Sequence, residues 1–551
     1  DTPGYADFIG ELIAALRVVE AVVLTVDAVS GVQVQTEKAW QLAQENNLPV
    51  LIFINRLDKE HADFDKTVAD LQEAFGAKAI PLMLPIGAES SFKGLADILN
   101  NKAYLYANEQ VKEESLQSEL AEQTAAYQEK LMETVAESDD ALIEKYLETG
   151  ELSTEEIKSG LGKAVASRNL VPIIPGSAVK TVGARELLSL VINCCPHPLS
   201  KGEVAGEDLK TKQQGKHRLA EDAPLLAYVF KTLSDPYVGR LNYIKVFAGN
   251  FKADSQVLNA SKQKKERVGH VFFMRGKNQE ETKIIPTGDL GAVPKLAETS
   301  AGDSLTDESS PFILPPVAFP EPLAALAVNP KTKGDEEKLT TALAKIAEED
   351  PTLRFGRDPV TKEHVLAGVG DLHLEVTLEK LHRRYGVEAV TSLPKIPYKE
   401  TIKGTAKGQG KYKKQTGGRG QYGDVWLELK PLLRGQGFEF VDKIVGGVVP
   451  RNFIPAVEKG VKEVLETGVM TNYPVVDVQV TLYDGSYHPV DSSEMAFKIA
   501  ASMAFKKCFL EAKPVLLEPI YNLQIMVPEA NMGDVMGDLS SKRGKIQGME
   551  S

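Results

Sequence analysis

The sequence predicts a multidomain chain of α/β and β domains, and three observations predict it. The chain has 551 residues, too many for one apolar core and enough for roughly three to five domains. Strand, helix and strand follow one another within residues 21–54, the order of a βαβ unit with a parallel sheet. Residues 320–393 read β-α-β-β-α-β, a split-βαβ (ferredoxin-like) arrangement, and the same pattern begins again near residue 515.

In chain order, the apolar run at 21–27 (AVVLTVD) predicts a buried strand, and Gly31 marks the turn after it. Residues 34–46 carry apolar positions at helical spacing, and PVLIFI at 49–54 is a second buried strand. LVPIIPG at 170–176 is a third, followed by a helix at 184–193. The interval from about 65 to 165 interrupts this pattern. Between 108 and 158 it holds 15 acidic and 4 basic residues, which predicts a helical insertion with a solvated acidic face. The polar, lysine-rich stretch 201–222 reads as a linker. Short β-rich runs with Gly, Asn and Asp turns over 223–312 predict a β-barrel.

The split-βαβ domain is placed at 318–393, with strand 323–330, helix 334–349, short strands near Phe355 and Val365, helix 370–385 and strand 387–391. Residues 397–513 form a separate α/β region. At 515–551, the strand IYNLQIMVP and the helix 529–540 begin a second split-βαβ domain that is left partial.

Composition narrows the function classes. The net charge of −13 argues against bulk non-specific nucleic-acid binding, yet residues 398–420 hold seven Lys or Arg against one Glu. Three cysteines give no disulfide framework and point to a reducing, cytoplasmic setting. The run Cys194-Cys195-Pro196-His197 lacks a second ligand pair, so zinc is not expected. No stretch reaches the ~20 apolar residues of a membrane span.

Three short motifs carry chemistry, in order, each at the C-terminal end of a predicted strand, where open α/β sheets bind ligands. DTPGY at 1–5 suits a phosphate-sensing loop. There Asp1 orients a Mg2+-bound water, and the Gly4 amide donates to a γ-phosphate. Asn55-Arg56-Leu57-Asp58 follows the second strand. The Asp58 carboxylate accepts guanine N1–H and N2–H2, a donor pair adenine does not present, and Asn55 braces the loop. Gly176-Ser177-Ala178 follows the third strand, placing backbone amides of Ser177 and Ala178 at guanine O6.

With these motifs the whole chain resembles bacterial elongation factor G, a translational GTPase. DPYVGRLNYIKVFAGNF at 235–251 is similar to that family's second domain. KQTGGRGQYGDVWLEL at 414–429 and DGSYHPVDSSEMAFKIAASMAFKKC at 484–508 resemble its fourth, and GDLSSKRGKIQGME at 537–550 resembles half of its fifth. The resemblance makes 1–200 a partial P-loop GTPase domain and 65–165 its G′ insertion, which touches the ribosomal stalk protein. It implies GTP and Mg2+ as cofactors, and the ribosome as partner, through rRNA and the tRNA–mRNA pair at the decoding centre. It implies translocation, with no membrane and a monomer. The fourth-domain tip would comprise Gly417, Gly418, Arg419, Gly420 and Gln421, flexible and close to RNA with Arg419 on phosphate, together with His488.

The chain also departs from the family. The Gly-x-x-x-x-Gly-Lys-Ser/Thr loop is absent, and any copy would lie before Asp1, so the chain as it stands is expected to bind GTP very weakly or not at all. Tyr5 replaces the histidine that positions the attacking water, and a phenol is a far weaker base than an imidazole at neutral pH. A specialised paralogue is therefore expected. Arg56 stands for the usual lysine, with a stem and planar head that pack on the base. Pro489 follows His488 where the family carries an acid. Two other readings stand beside translocation: a ribosome-binding paralogue with little or no hydrolysis, and a ribosomal protection protein.

Overall fold

The computed structural model describes residues 1–107, 110–116, 118–235, 239–332, 334–415, 420–527 and 529–550. Two compact units divide the chain: residues 1–356 with 364–393, and residues 357–363 with 394–551.

The first unit opens with a 3-10 turn, Ala6–Phe8, leading into α1 (Ile9–Leu16). Then come β1 (Val22–Asp27), α2 (Val34–Glu45), β2 (Val50–Asn55), α3 (Phe64–Phe75) and β3 (Ala79–Pro81). Four further strands follow, β4 (Met83–Ile86), β5 (Gly94–Asp97), β6 (Lys102–Ala107) and β7 (Gln110–Ser115). The helices α4 (Ser118–Ala136), α5 (Asp140–Thr149) and α6 (Thr154–Ala166) precede β8 (Val171–Pro175) and α7 (Ala184–Cys194).

Strands β1, β2, β8 and β3 make a parallel sheet in the order β1-β2-β8-β3. The first five residues of β2 and all of β8 are buried, as a sheet covered on both faces requires. Helix starts follow local chemistry. Asp63 accepts the Lys66 N–H at 3.0 Å to begin α3. Ser153 and Glu156 form a reciprocal capping box at α6.

The predicted helical insertion is only partly helical. Strands β4 to β7 form an antiparallel sheet in sequence order, ahead of α4–α6. Most of β7 is exposed, Glu113 and Glu114 included, so its residues read as a solvated helix face. The stretch 201–222, read as a linker, holds a β-hairpin, Glu203–Asp208 with Gln213–Arg218, joined at its edge by Phe312–Ile313. Its inner face consists of Val204, Gly206 and His217 against Phe312, too little apolar alternation to announce the strands.

Strands between Leu226 and Thr306 form an eight-stranded sheet around a core that includes Val229, Ile244, Val246, Phe251 and Val293. Next, a four-stranded sheet runs in the order Arg354–Arg357, His364–Gly368, Ala324–Pro330, Ala389–Ser392. Helices Glu336–Glu349 and Asp371–Tyr385 cover it through Leu339, Leu343, Leu374 and Leu381. This is the split-βαβ arrangement.

The second unit is built on a sheet ordered Ala406–Lys414, Gln421–Pro431, Val478–Ser486, Phe438–Asp442. The last pair is parallel and is linked through helix Ile454–Thr467. Helix Glu494–Glu511 lies on the first hairpin at close range. A methyl group on Gly410 would sit 2.1 Å from the Ala500 carbonyl oxygen, and one on Gly423 would sit 2.5 Å from that of Ala496. Glycine is what lets helix and hairpin backbones touch. The predicted strand IYNLQIMVP does not form: residues 520–527 pair with no strand among the described residues, and Ile520, Tyr521, Leu523 and Met526 are exposed. An apolar run becomes a strand only against a partner edge. The helix that follows spans Met532–Ser541.

Candidate functional site

Strands β1 and β2 end side by side, with Asp27 paired to Asn55 in register. The chain turns at once after β2, and Arg56 takes the left-handed conformation, φ 71°. One Asn55 side-chain oxygen accepts both the Arg56 N–H and the Ala178 N–H, each at 2.9 Å. Asn55 thus ties the loop after β2 to the loop after β8. The backbone supports the same junction, through Leu57 N–H to Gly176 O at 3.2 Å and Gly176 N–H to Ile54 O at 2.8 Å. A side chain on Gly176 would meet Phe53 at 2.4 Å, so the junction closes only on glycine.

Asp58 projects from this junction. The Ser177 hydroxyl donates to it and holds its carboxyl below the usual range, with Lys180 and Lys59 adding smaller effects against the opposing pull of burial. An ionised carboxylate there can accept two donors from one edge of a purine.

The structure therefore brings Asn55, Arg56, Asp58, Ser177 and Ala178 together. One expected feature differs. The Ser177 N–H donates to Val182 O at 3.0 Å and the Ala178 N–H to Asn55. Neither amide is idle, so Ala178 reaches a guanine O6 only by sharing its N–H with Asn55 or leaving it. The tight 177–182 turn and the bracing side chain consume these donors, which motif spacing does not reveal.

Among the described residues no hydrogen bond or ion pair joins Asp1, Gly4 or Tyr5 to the two loops. Tyr5 is exposed, its carbonyl accepting the Phe8 N–H at 3.1 Å, and a side chain on Gly4 would meet open space. Asp1 offers one exposed carboxylate. That donor set suits a water-mediated contact to Mg2+, an ion that keeps several waters and takes its other ligands from phosphates. The segment after residues 1–5 is anchored firmly. Asp7 accepts the backbone N–H of His373 at 3.1 Å, Glu11 pairs with Lys231 at 2.6 Å, and Glu20 pairs with Lys245.

Sequence reasoning missed Asp7, Glu11 and Glu20, which carry no motif. It also missed Asp27, whose Oδ2 lies 2.6 Å from Arg56 Nη1.

A second cluster sits at one end of the sheet in the other unit. His488 N–H donates to the Ser492 hydroxyl at 2.8 Å, and His488 Nδ1 accepts from Asp491 N–H at 3.2 Å. The same Nδ1 lies 3.4 Å from Asp491 Oδ2, and the side chain is half exposed. Gly420 lies against the Asp491 carboxylate, and Gln421 accepts from the Tyr412 hydroxyl at 3.1 Å. Gly420, Gln421 and His488 are thus neighbours. Gly417, Gly418 and Arg419 lie outside the described residues.

Comparison with known proteins gives the class first. Residues 1–197 match the elongation factor Tu GTP binding domain, so the chain carries the nucleotide-binding domain of a translational GTPase. Residues 224–308 match elongation factor G domain 2, 319–393 its domain III, 394–513 its domain IV, and 515–551 its C-terminus. A crystal structure of a protein from Thermus thermophilus superposes with a TM-score of 0.81 at 38% identity, over 100% of this chain and 80% of that one. The chain belongs to the elongation factor G family. No helix among the described residues is long and apolar enough to cross a membrane.

Proposed function

We propose that the protein containing this chain is a ribosome-dependent GTPase that promotes translocation of tRNA and mRNA. The observation that carries this reading is the 394–513 domain, which matches elongation factor G domain IV and ends in the Gly420, Gln421 and His488 cluster. In this reading Asp58 reads the guanine edge, Asn55 braces the base-side loops, Arg56 packs on the purine, and Asp1 and Gly4 face Mg2+ and the γ-phosphate. Gly417, Gly418 and Arg419 complete the RNA-facing tip. The ribosomal stalk protein meets the acidic insertion. The protein works as a monomer in the cytoplasm.

A second reading, ribosome binding with little hydrolysis, is supported by the exposed Tyr5, in the motif where the resemblance expects a water-positioning histidine. Ribosome-stimulated phosphate release, measured on the product of the full reading frame, separates the two. Turnover within an order of magnitude of a housekeeping factor supports the first. If turnover is absent, Tyr5→His is expected to restore a factor of roughly 10²–10⁴, the range of a positioned base. No gain from that substitution would remove Tyr5 as the cause.

A further inference from the structure

We propose that Asp27, which lies outside the three nucleotide motifs, is a positioning residue for the purine: its carboxylate fixes the Arg56 guanidinium as a plate over the face of the base. The inference rests on the guanine-nucleotide reading above and adds a residue to it.

Asp27 is the last residue of β1, level with Asn55 on β2. Its two oxygens have separate tasks. Oδ1 accepts the Val29 N–H at 2.9 Å, closing the turn. Oδ2 takes Arg56 Nη1 at 2.6 Å. Arg56 is held at both ends: its backbone N–H by Asn55 Oδ1 and its head by Asp27. Only one edge of the guanidinium is occupied by these contacts, and its side chain remains 53% exposed. A planar cation gripped by one edge keeps its faces open for stacking.

The arrangement is not explained by folding. Arg56 sits in the left-handed region at φ 71°, which side-chain-bearing residues adopt at a cost. An exposed ion pair returns little stability. A guanidinium fixed at both ends of its residue, at the C-terminal end of a parallel strand, points to a site. A lysine at this position would reach Asp27 as a point charge and present no plate. The pair therefore gives a role to the departure at position 56.

The test is a double-mutant cycle on the product of the full reading frame. Dissociation of a fluorescent GDP is measured, with IDP as competitor. Asp27→Asn keeps the Oδ1 acceptor for Val29 and removes the charge. It is expected to speed GDP release about two- to fivefold, the worth of one exposed cation–π contact. The GDP-to-IDP preference should stay unchanged, because the face and not the edge of the base is affected. In an Arg56→Ala background, Asp27→Asn should add nothing. Arg56→Lys should fall between wild type and Arg56→Ala. An Asp27→Asn effect of equal size in both backgrounds overturns the proposal, as does no effect in wild type. Failure of the unsubstituted protein to bind GDP at all overturns the guanine-nucleotide reading together with it, whereas binding with additive losses overturns the proposal alone.

Discussion

Replacing Asn55 with alanine removes one oxygen that two backbone N–H groups share. The Arg56 and Ala178 amides each donate to it at 2.9 Å, from loops that follow different strands. A net hydrogen bond is worth about 0.5–1.5 kcal/mol. Water reaches this half-buried junction, so the pair together should contribute roughly 1–2 kcal/mol to local closure. Amide exchange through local opening rises with that free energy, by a factor of about 5–30. The assay is site-resolved hydrogen exchange without nucleotide. The Arg56 and Ala178 amides should exchange faster by that factor in Asn55→Ala. Gly176 N–H, which donates to Ile54 O, and Ala28 N–H, which donates to the Asn55 carbonyl, should keep their protection. Asn55→Asp retains an acceptor oxygen and should restore most of it. Unchanged exchange at Ala178 in Asn55→Ala would refute the claim that this side chain joins the two loops.

Two further outcomes follow from carboxylates held low. Asp58 has a folded-state pKa below its ordinary value, so its ionised form, and whatever it contributes, persists above the unfolded value and is lost only as pH falls through the lower folded one. Guanine affinity should be flat from pH 8 down to about 5, and Ser177→Ala should move the acid limb upward; an unmoved limb would show that Ser177 does not set it. Glu400 is fully buried. Burial pushes its pKa up, but the N–H groups of Val469, Met470 and Thr471 and the Thr471 hydroxyl outweigh this and hold it low. Glu400→Ala strands those donors and should cost at least about 3 kcal/mol in denaturant unfolding, at roughly 1–3 kcal/mol for each unsatisfied group. A loss below about 1 kcal/mol would show that water replaces the carboxylate.

The parallel sheet was legible because β1 and β2 are largely apolar runs ending in polar residues, and Gly31 marks the turn after β1; β1, expected to be buried, lies at the end of the strand order and leaves Val23 and Thr25 exposed. Asn55, Asp58 and Ser177 were legible for the same reason: each sits where a buried run stops. The sheet of β4 to β7 was hidden. Pro85 falls inside β4, its first strand, and β7 shows Glu113 and Glu114 to solvent, which mimics a helix face. The 203–218 hairpin was hidden because its inner face is made of Val204, Gly206 and His217 against Phe312, too few apolar side chains to show a period of two in the sequence. At 520–527 the reverse occurred: apolar composition promised a strand, but strands exist through partners. Within the site, the grip of Asp27 on Arg56 spans 29 positions with no motif between them, and the use of the Ser177 and Ala178 amides depends on a turn closing at Val182. Contacts of that kind are properties of the fold.

The most direct measurement is single-round translocation on pre-translocation ribosomes, read as the position of the mRNA, with the product of the full reading frame and GTP. Movement of the mRNA by one codon, abolished by deleting the 394–513 domain while GTP binding persists, is the expected result. Ribosome binding and GTP turnover without movement of the mRNA would contradict the account.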